Sequence, residues 1–248
     1  MLGYERVLTP ETIRAQLAHA GPLNASDNFL RNRLAARVDC NILDAIPQVD
    51  GFFSLVPREG GRAAELAIRR ATNCAPLLDF MGVARTNASV PTNWVARGTA
   101  MPMITGGQQP TFADDETALK AIEDTGTDFR HTVFLPFEAG SALGASSFGP
   151  VEVKLLSIAS NRVLLEADAG AGGMVVIAQA WFPGWRAYID NQPATLWRAN
   201  LAFQAVAAPP GRHRIELRYE DRAFDIGLVL ASPGLLACAW ILWRTRRA

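Results

Sequence analysis

Hydrophobic and polar residues alternate through much of the second half of the chain, a period typical of β-strands with one face in a core. The alternation is cleanest in HRIELRY (213–219), where isoleucine, leucine and tyrosine fall on one face and charged residues on the other. MVVIAQAWF (174–182) is apolar except for Gln179, which is consistent with a central strand. Further strands are predicted at 151–155, 163–167, 186–190, 195–198 and 202–206. Short strands at this spacing predict an antiparallel β-sandwich.

The first half of the chain has helical periodicity with short extended pieces between. A first helix is predicted with Thr9 as its cap, Pro10 at its first position and an apolar face that includes Ile13 and Leu17. A second helix is predicted from Arg62 to about Cys74, where Pro76 should stop or kink it. Asp114 is predicted to cap a third, brief helix, and 101–105 could form a short strand. Together these elements predict a mixed α+β region.

The C-terminal segment IGLVLASPGLLACAWILW (226–243) carries no charge over eighteen residues. That length is about the lower limit for an α-helix that crosses a bilayer. Trp240 and Trp243 stand where an interfacial aromatic belt would lie, and three arginines follow at once. A buried C-terminal helix is the alternative, but the segment lacks the polar face that such a helix usually has. We therefore predict a transmembrane helix at 225–243.

The arginines also predict an orientation. The positive-inside rule assigns the tail to the cytoplasm and residues before about 224 to the outside of a bacterial cytoplasmic membrane. The N-terminal MLGYERVLTPETIRAQ has neither the basic nor the apolar region of a signal peptide. We therefore expect the chain to be the C-terminal piece of a longer polytopic protein. A tail-anchored chain with a cytosolic domain, against the positive-inside rule, is the alternative.

These patterns divide the chain into consecutive regions. The Gly-, Ala- and Ser-rich stretch near residue 145 indicates a linker. The predicted regions are an extracytoplasmic α+β region at 1–138, a linker at 139–150, the β-sandwich at 151–222 with a strand at 131–137 as a further candidate member, the transmembrane helix at 225–243 and a basic cytoplasmic tail at 244–248. The predicted fold class is thus α+β with one C-terminal transmembrane helix.

Composition and motifs argue against several functions. The 24 basic and 24 acidic residues balance, so the charge gives no indication of a nucleic-acid partner. The three histidines lie far apart, and no hydrolase, phosphate-loop or zinc-protease motif occurs. The three cysteines fit neither a disulfide framework nor a metal site, and whether Cys40 pairs with Cys74 stays open. We predict no catalytic residue, no metal and no cofactor.

The segment WFPGWRAYID (181–190) packs four aromatic residues around a Pro-Gly break and allows two interpretations. The break fits a corner between two strands, with Trp181 and Trp185 filling a core, and this interpretation is favoured. The other is a sugar site, in which aromatic rings stack on the sugar and polar groups bind its hydroxyls. The candidate residues of that site are Trp185, Tyr188, Asp190, Trp197 and Arg198.

A larger constellation resembles a known family. FPGWRAYID (182–190) is followed by RAN (198–200), AFQAV (202–206), PGRH (210–213) and ELRY (216–219), with the apolar segment just after. This arrangement resembles the C-terminal region of the YfhO family of bacterial membrane proteins, over about 176–243 and more weakly upstream. The family commonly has Asp-Gly at the hairpin where this chain has Asp190-Asn191, and asparagine also tolerates positive φ.

The resemblance implies a polytopic protein related to GT-C type glycosyltransferases, which use lipid-linked sugars. The family's presumed catalytic acid lies in an early extracytoplasmic loop, and no residue here matches it. We therefore expect a non-catalytic C-terminal domain and membrane anchor of such a protein. Its expected partners are membrane lipid, a lipid-linked sugar, a cell-surface glycan and the missing N-terminal spans. The alternative is a membrane-anchored carbohydrate-binding or adhesion module without transferase activity.

Overall fold

The computed structural model describes residues 5–19, 24–35, 47–49, 57–71, 73–87, 89–144, 148–221, 223–224 and 226–234. In chain order the elements are β1 (Arg6–Leu8), α1 (Glu11–His19), α2 (Ala25–Leu34), α3 (Arg58–Arg69), α4 (Ala75–Phe80), β2 (Val83–Asn87), β3 (Trp94–Ala96), β4 (Ile104–Gly106), β5 (Gln109–Phe112), α5 (Asp115–Glu123), β6 (Thr132–Leu135), α6 (Phe137–Leu143), β7 (Val151–Ala159), β8 (Arg162–Ala169), β9 (Gly173–Ile177), β10 (Trp185–Ile189), β11 (Gln192–Ala194), β12 (Trp197–Ala199), β13 (Phe203–Ala208) and β14 (Gly211–Tyr219). The fold is α+β with antiparallel sheets, as predicted.

Two antiparallel sheets face each other in the second half of the chain. One has the strand order β11-β10-β14-β8-β7, and the other has the order β12-β13-β9-β4. A shared core lies between them, to which β8 and β14 contribute Leu165, Ile215 and Leu217 and to which β9 contributes Val175 and Ile177. The alternation along β14 therefore identified its buried face correctly, and the two sheets are consistent with the predicted sandwich.

The four-stranded sheet is covered on its other face as well. There Met174 and Val176 of β9 and Phe203 of β13 join a second core, which also contains residues of α3, α4, α5 and β6. All five residues of β9 are buried as a result. These helices and short strands of the first half, called here the N-terminal layer, thus pack directly on the sandwich. The sequence alone left open whether they do.

Strand pairing crosses the predicted region boundaries. β4 precedes the predicted linker, yet it pairs with β9 in the four-stranded sheet, with Ile104 opposite Ile177. The strand expected at 131–137 exists as β6, but it pairs in parallel with β5 in a separate two-stranded sheet. The predicted linker at 139–150 begins inside α6. The sandwich therefore does not begin at 151, because β4 supplies one of its strands.

The predicted helices are present, with two differences in their termini. Ile13 and Leu17 are buried as expected, and the Asp114 side chain caps α5 by accepting a hydrogen bond from the Thr117 N–H at 2.8 Å. The Thr9 hydroxyl instead donates to the Ala35 carbonyl, which lies just after α2. Pro76 stands in the first turn of α4, a position that proline favours, and α3 has already ended.

The C-terminal segment is helical at 226–234. Within the described residues no helix is both long enough and apolar enough to cross a membrane. The transmembrane helix expected at 225–243 therefore has no support from this part of the chain, and residues 235–243 of it lie outside the described residues, as does the tail at 244–248.

We expect Gly173→Ala to lower the free energy of unfolding by about 1–3 kcal/mol, the usual cost of overpacking a core. A Cβ atom at Gly173 would lie 2.3 Å from Val151 Cγ2 and 2.6 Å from the Gly149 carbonyl oxygen, so β7 and β9 would have to separate. Gly170→Ala is the matched control, since its Cβ would meet no atom within 4 Å. Urea unfolding of both variants measures the difference, and equal midpoints would contradict this packing.

Candidate functional site

The WFPGWRAYID segment forms a corner whose rings pack on Tyr219. Trp185 is buried in the sandwich core, with its ring edge-on to Tyr219 at 5.7 Å between centroids. Phe182 stacks on the same tyrosine at 6.1 Å. A Cβ on Gly184 would come within 2.6 Å of the tyrosine ring, so only glycine fits there without movement. The Pro-Gly break therefore serves packing, and both faces of the Trp185 ring are unavailable to a sugar.

Tyr188 lies on the opposite, outer face of the five-stranded sheet. Its hydroxyl donates to Glu220 Oε1 at 2.7 Å, and this bond raises the tyrosine pKa. The Arg218 guanidinium carbon stands 4.6 Å from the ring centroid, a distance typical of a cation–π contact. One face of the ring and its polar end are therefore already occupied within the protein.

Asp190 holds the β10–β11 hairpin. It has φ of 49° and is followed by Asn191 at 67°, as a tight turn of this kind requires. Its carboxylate accepts from the Arg214 backbone N–H at 2.9 Å and contacts His213 Nδ1 at 2.6 Å. The histidine lowers the pKa of Asp190, and the aspartate raises the pKa of His213. These bonds give Asp190 a structural role in joining the hairpin to β14.

Trp197 and Arg198 lie in β12 and so belong to the other sheet. Trp197 is half-buried against the core of the N-terminal layer. Arg198 forms an ion pair at 2.5 Å with Asp115, which begins α5. Among the described contacts, no hydrogen bond, ion pair or ring contact joins any two of the five predicted residues. The structure distributes them over a core, an outer face, a turn and a layer boundary instead of gathering them in one site.

A charged cluster on the outer face was not anticipated. Glu216 of β14 accepts from Arg162 Nε at 2.5 Å and from Arg218 Nε and Nη2 at 2.7 and 2.8 Å. Its side chain is only 8% exposed, and Arg218, followed by Arg162, lowers its pKa to about 2. Arg186 stands opposite Arg218 on β10. A cavity of about 400 Å³ opens beside these groups. Because both cations bind Glu216, the carboxylate is held ionised and is poorly suited to exchange protons near neutral pH.

A larger cavity, of about 580 Å³, lies between α1, α3 and the residues that follow β9. Arg6 lines it, and its guanidinium Nη1 donates to the Met81 and Ala178 carbonyl oxygens at 3.0 and 2.5 Å. The residue pattern did not identify Arg6 as a candidate. Its only signal was an arginine beside two apolar residues, Val7 and Leu8, in a short strand.

The described residues contain few groups suited to metal binding or to thiol chemistry. No group of three or more histidine, cysteine or acidic side chains there is placed to hold a metal ion. Cys74 is a buried free thiol whose pKa is raised by burial, and its Sγ donates to the Ile122 carbonyl at 3.3 Å. Cys40 lies outside the described residues, so its proposed pairing stays a prediction.

Comparisons of the chain with protein-family models, curated proteins and solved structures found no match. The relationship to the YfhO family consequently rests on the residue pattern alone and stays a prediction.

We expect Glu216→Gln to lower the free energy of unfolding by about 1–3 kcal/mol, because two arginines lose their charged acceptor. Glu166→Gln is the matched control on the same sheet, where an exposed pair with Arg212 should contribute at most about 1 kcal/mol. The Glu216 pKa is lowered from 4.5 to about 2, so its contribution is complete above pH 4.5 and is lost as the pH falls toward 2. Denaturant unfolding between these pH values should show a weaker pH dependence in the Glu216 variant than in the wild type. If the free energy of unfolding changed equally with pH in the variant and the wild type, the ion pairs of Glu216 would not be the source of the pH dependence.

Proposed function

We propose that this chain is the C-terminal extracytoplasmic domain and membrane anchor of a YfhO-like polytopic membrane protein. The complete protein would transfer a sugar from a lipid carrier to a cell-surface polymer or lipid. This part would hold or shape the acceptor side without doing chemistry. The observation that carries the proposal is the exposed apolar helical segment that follows β14.

That segment begins close to the centre of the sandwich. β14 pairs on both sides within the five-stranded sheet and ends at Tyr219, only a few residues before the helical segment. Large apolar side chains are 56–75% exposed in it, at Phe224, Ile226, Leu228, Val229 and Leu230. Three of these are consecutive, so the apolar surface surrounds the helix instead of forming one stripe. Lipid or further apolar spans would cover such a surface on every side.

The proposal that this chain has no catalytic role is supported by the hydrogen bonds and ion pairs of its acidic side chains. Glu216 is bound by two arginines, and Asp190 by a histidine and a backbone N–H. Both carboxyl pKa values are lowered by these partners. A general acid or base works best with a pKa near the working pH. These groups are therefore better explained as structural ties than as participants in glycosyl transfer.

The cavity of about 580 Å³ favours a second candidate function. Its size falls in the range of small-molecule sites, as expected if the chain is a membrane-anchored carbohydrate-binding or adhesion module. The coding sequence upstream of Met1 separates the two candidates. In-frame apolar spans would favour the transferase domain, and a translation start at Met1 would favour the binding module.

We expect reporters fused after Ala248 and at Met1 to reveal a cytoplasmic C-terminus and an extracytoplasmic N-terminal part when the native upstream reading frame is present. The basic tail and the charge-free segment at 226–243 determine this orientation. A cytoplasmic N-terminal part in the complete protein would overturn the extracytoplasmic assignment and most of the glycosyltransferase case.

We expect Leu235→Arg, near the middle of the predicted span, to reduce the amount of this isolated chain that stays in membranes after carbonate extraction. Arginine at the centre of a span costs about 3 kcal/mol of insertion free energy. Val95→Arg is the control, since Val95 is an exposed apolar residue of β3, outside that segment. Equal extraction of both variants would contradict a membrane-inserted segment.

A further inference from the structure

The cavity at the junction of the N-terminal layer and the sandwich is lined by both charged and apolar residues. Arg6 is among the charged ones, and Ile68, Met81 and Phe203 are among the apolar ones. We propose that this cavity binds a small organic anion, whose carboxylate or phosphate group contacts Arg6 and whose body rests on the apolar residues. The proposal stands independently of the membrane function.

The guanidinium of Arg6 is held in place by hydrogen bonds that use only one of its three nitrogen atoms. Both of its side-chain hydrogen bonds in the described structure leave from Nη1, toward the carbonyl oxygens of Met81 and Ala178. These two bonds join β1 to residues from two other parts of the chain and fix the plane of the group. Nε and Nη2 remain, and this edge of arginine donates two parallel hydrogen bonds to a carboxylate or phosphate.

Both side-chain hydrogen-bond partners of Arg6 in the part of the chain that the structure describes are neutral carbonyls, and Glu11, which lines the same cavity, forms no ion pair with it there. Burial lowers the pKa of Arg6 to about 10, because desolvation disfavours the charged form. A buried cation without a counterion is destabilising, and an anion that enters the cavity would relieve that cost. The cavity therefore favours anionic over neutral ligands of the same shape.

The start of α3 adds positive potential to the same space. The N–H groups of Arg58, Glu59 and Gly60 precede the first intrahelical bond, which the Gly61 N–H donates to the Pro57 carbonyl at 2.8 Å, and the N-cap Pro57 provides no side-chain acceptor for them. Gly60 and Gly61 of this turn line the cavity, and neither has a side chain to cover the backbone. The positive end of the helix dipole favours an anion at this position.

The remaining polar groups of the wall are consistent with this ligand class. Three arginines and two glutamates line the cavity, a net charge of +1 (3 − 2). Glu65 is already paired with Arg69 at 2.7 Å. Gln179 also lines the cavity, and its buried Oε1 has no hydrogen-bond partner in the described structure. Rotation of this side chain would let the amide accept from a ligand hydroxyl or N–H, so a hydroxylated anion would satisfy both Gln179 and Arg6.

Calorimetric titration of the full chain in detergent at low salt tests the proposal. The probes are glucose 6-phosphate, glucuronate and glucose, which share a body and differ in their anionic group. We expect at least one anionic probe to bind and glucose not to, with phosphate and carboxylate distinguished by which of the two binds more tightly. Arg6→Gln should weaken the binding at least tenfold. Arg62→Gln, an exposed arginine of the same helix α3 that does not line the cavity, should leave it unchanged.

A second variant keeps the test decisive if Arg6→Gln does not fold. Ala64 lines the cavity from α3, so Ala64→Phe should fill the space and abolish binding while Arg6 is retained. Three outcomes would overturn the proposal: no binding of either anion up to about 10 mM, well beyond the millimolar range of weak ligands, equal binding of glucose, or wild-type affinity in Ala64→Phe.

Discussion

The pairing of β9 with β13 is the constraint on which the rest of the structure depends. The two strands are antiparallel, with Val206 opposite Val175, and both faces of their sheet are buried. A sheet covered on both sides needs apolar residues at consecutive positions, which is the pattern of β9 throughout and of β13 except at Gln204. It also needs two covering layers. The five-stranded sheet supplies one of them, and the helices and short strands of the first half supply the other.

Because both faces of this sheet are covered, the ends of its strands are buried between layers. Each backbone N–H and C=O group there needs a hydrogen-bond partner. Asn200 meets this need between β12 and β13. Its backbone N–H donates to the Phe134 carbonyl, and its side-chain Oδ1 accepts from the Phe134 N–H, both at 2.8 Å, so one asparagine imitates a strand partner for β6. Gln204 donates to the Ala180 carbonyl in a comparable way beyond the end of β9. These side chains join the layers with hydrogen bonds where apolar packing alone would leave backbone groups unsatisfied.

What the sequence predicted correctly depends on neighbours close along the chain. The alternation in β14, the Asp114 cap and the Pro-Gly corner each follow from residues within a few positions of one another. Apart from the end of α3, which was placed a few residues too late, the failures involve partners far apart in sequence. β4 joins β9 from about seventy residues upstream, and Arg6 reaches Ala178 across 172 positions. Arg198, a candidate sugar contact, instead pairs with Asp115 in another layer, 83 positions away. A local sequence pattern carries no information about such contacts. For the same reason it did not show that the five candidate sugar contacts lie in two different sheets.

The same assembly connects the cavity to the C-terminal segment through a short path of chain. The residues that follow β9, including Ala178 and Ala180, form one wall of the cavity. The chain then turns at the Pro-Gly corner and enters β10, where Trp185 packs against Tyr219 at the end of β14. The apolar helical segment begins a few residues later. Ala178, whose carbonyl holds Arg6, and Trp185, whose ring packs on the last residue of β14, thus belong to one continuous stretch of eight residues, 178–185. This stretch directly follows β9, so the doubly buried strand determines where both the cavity lining and the corner that packs on the end of β14 begin.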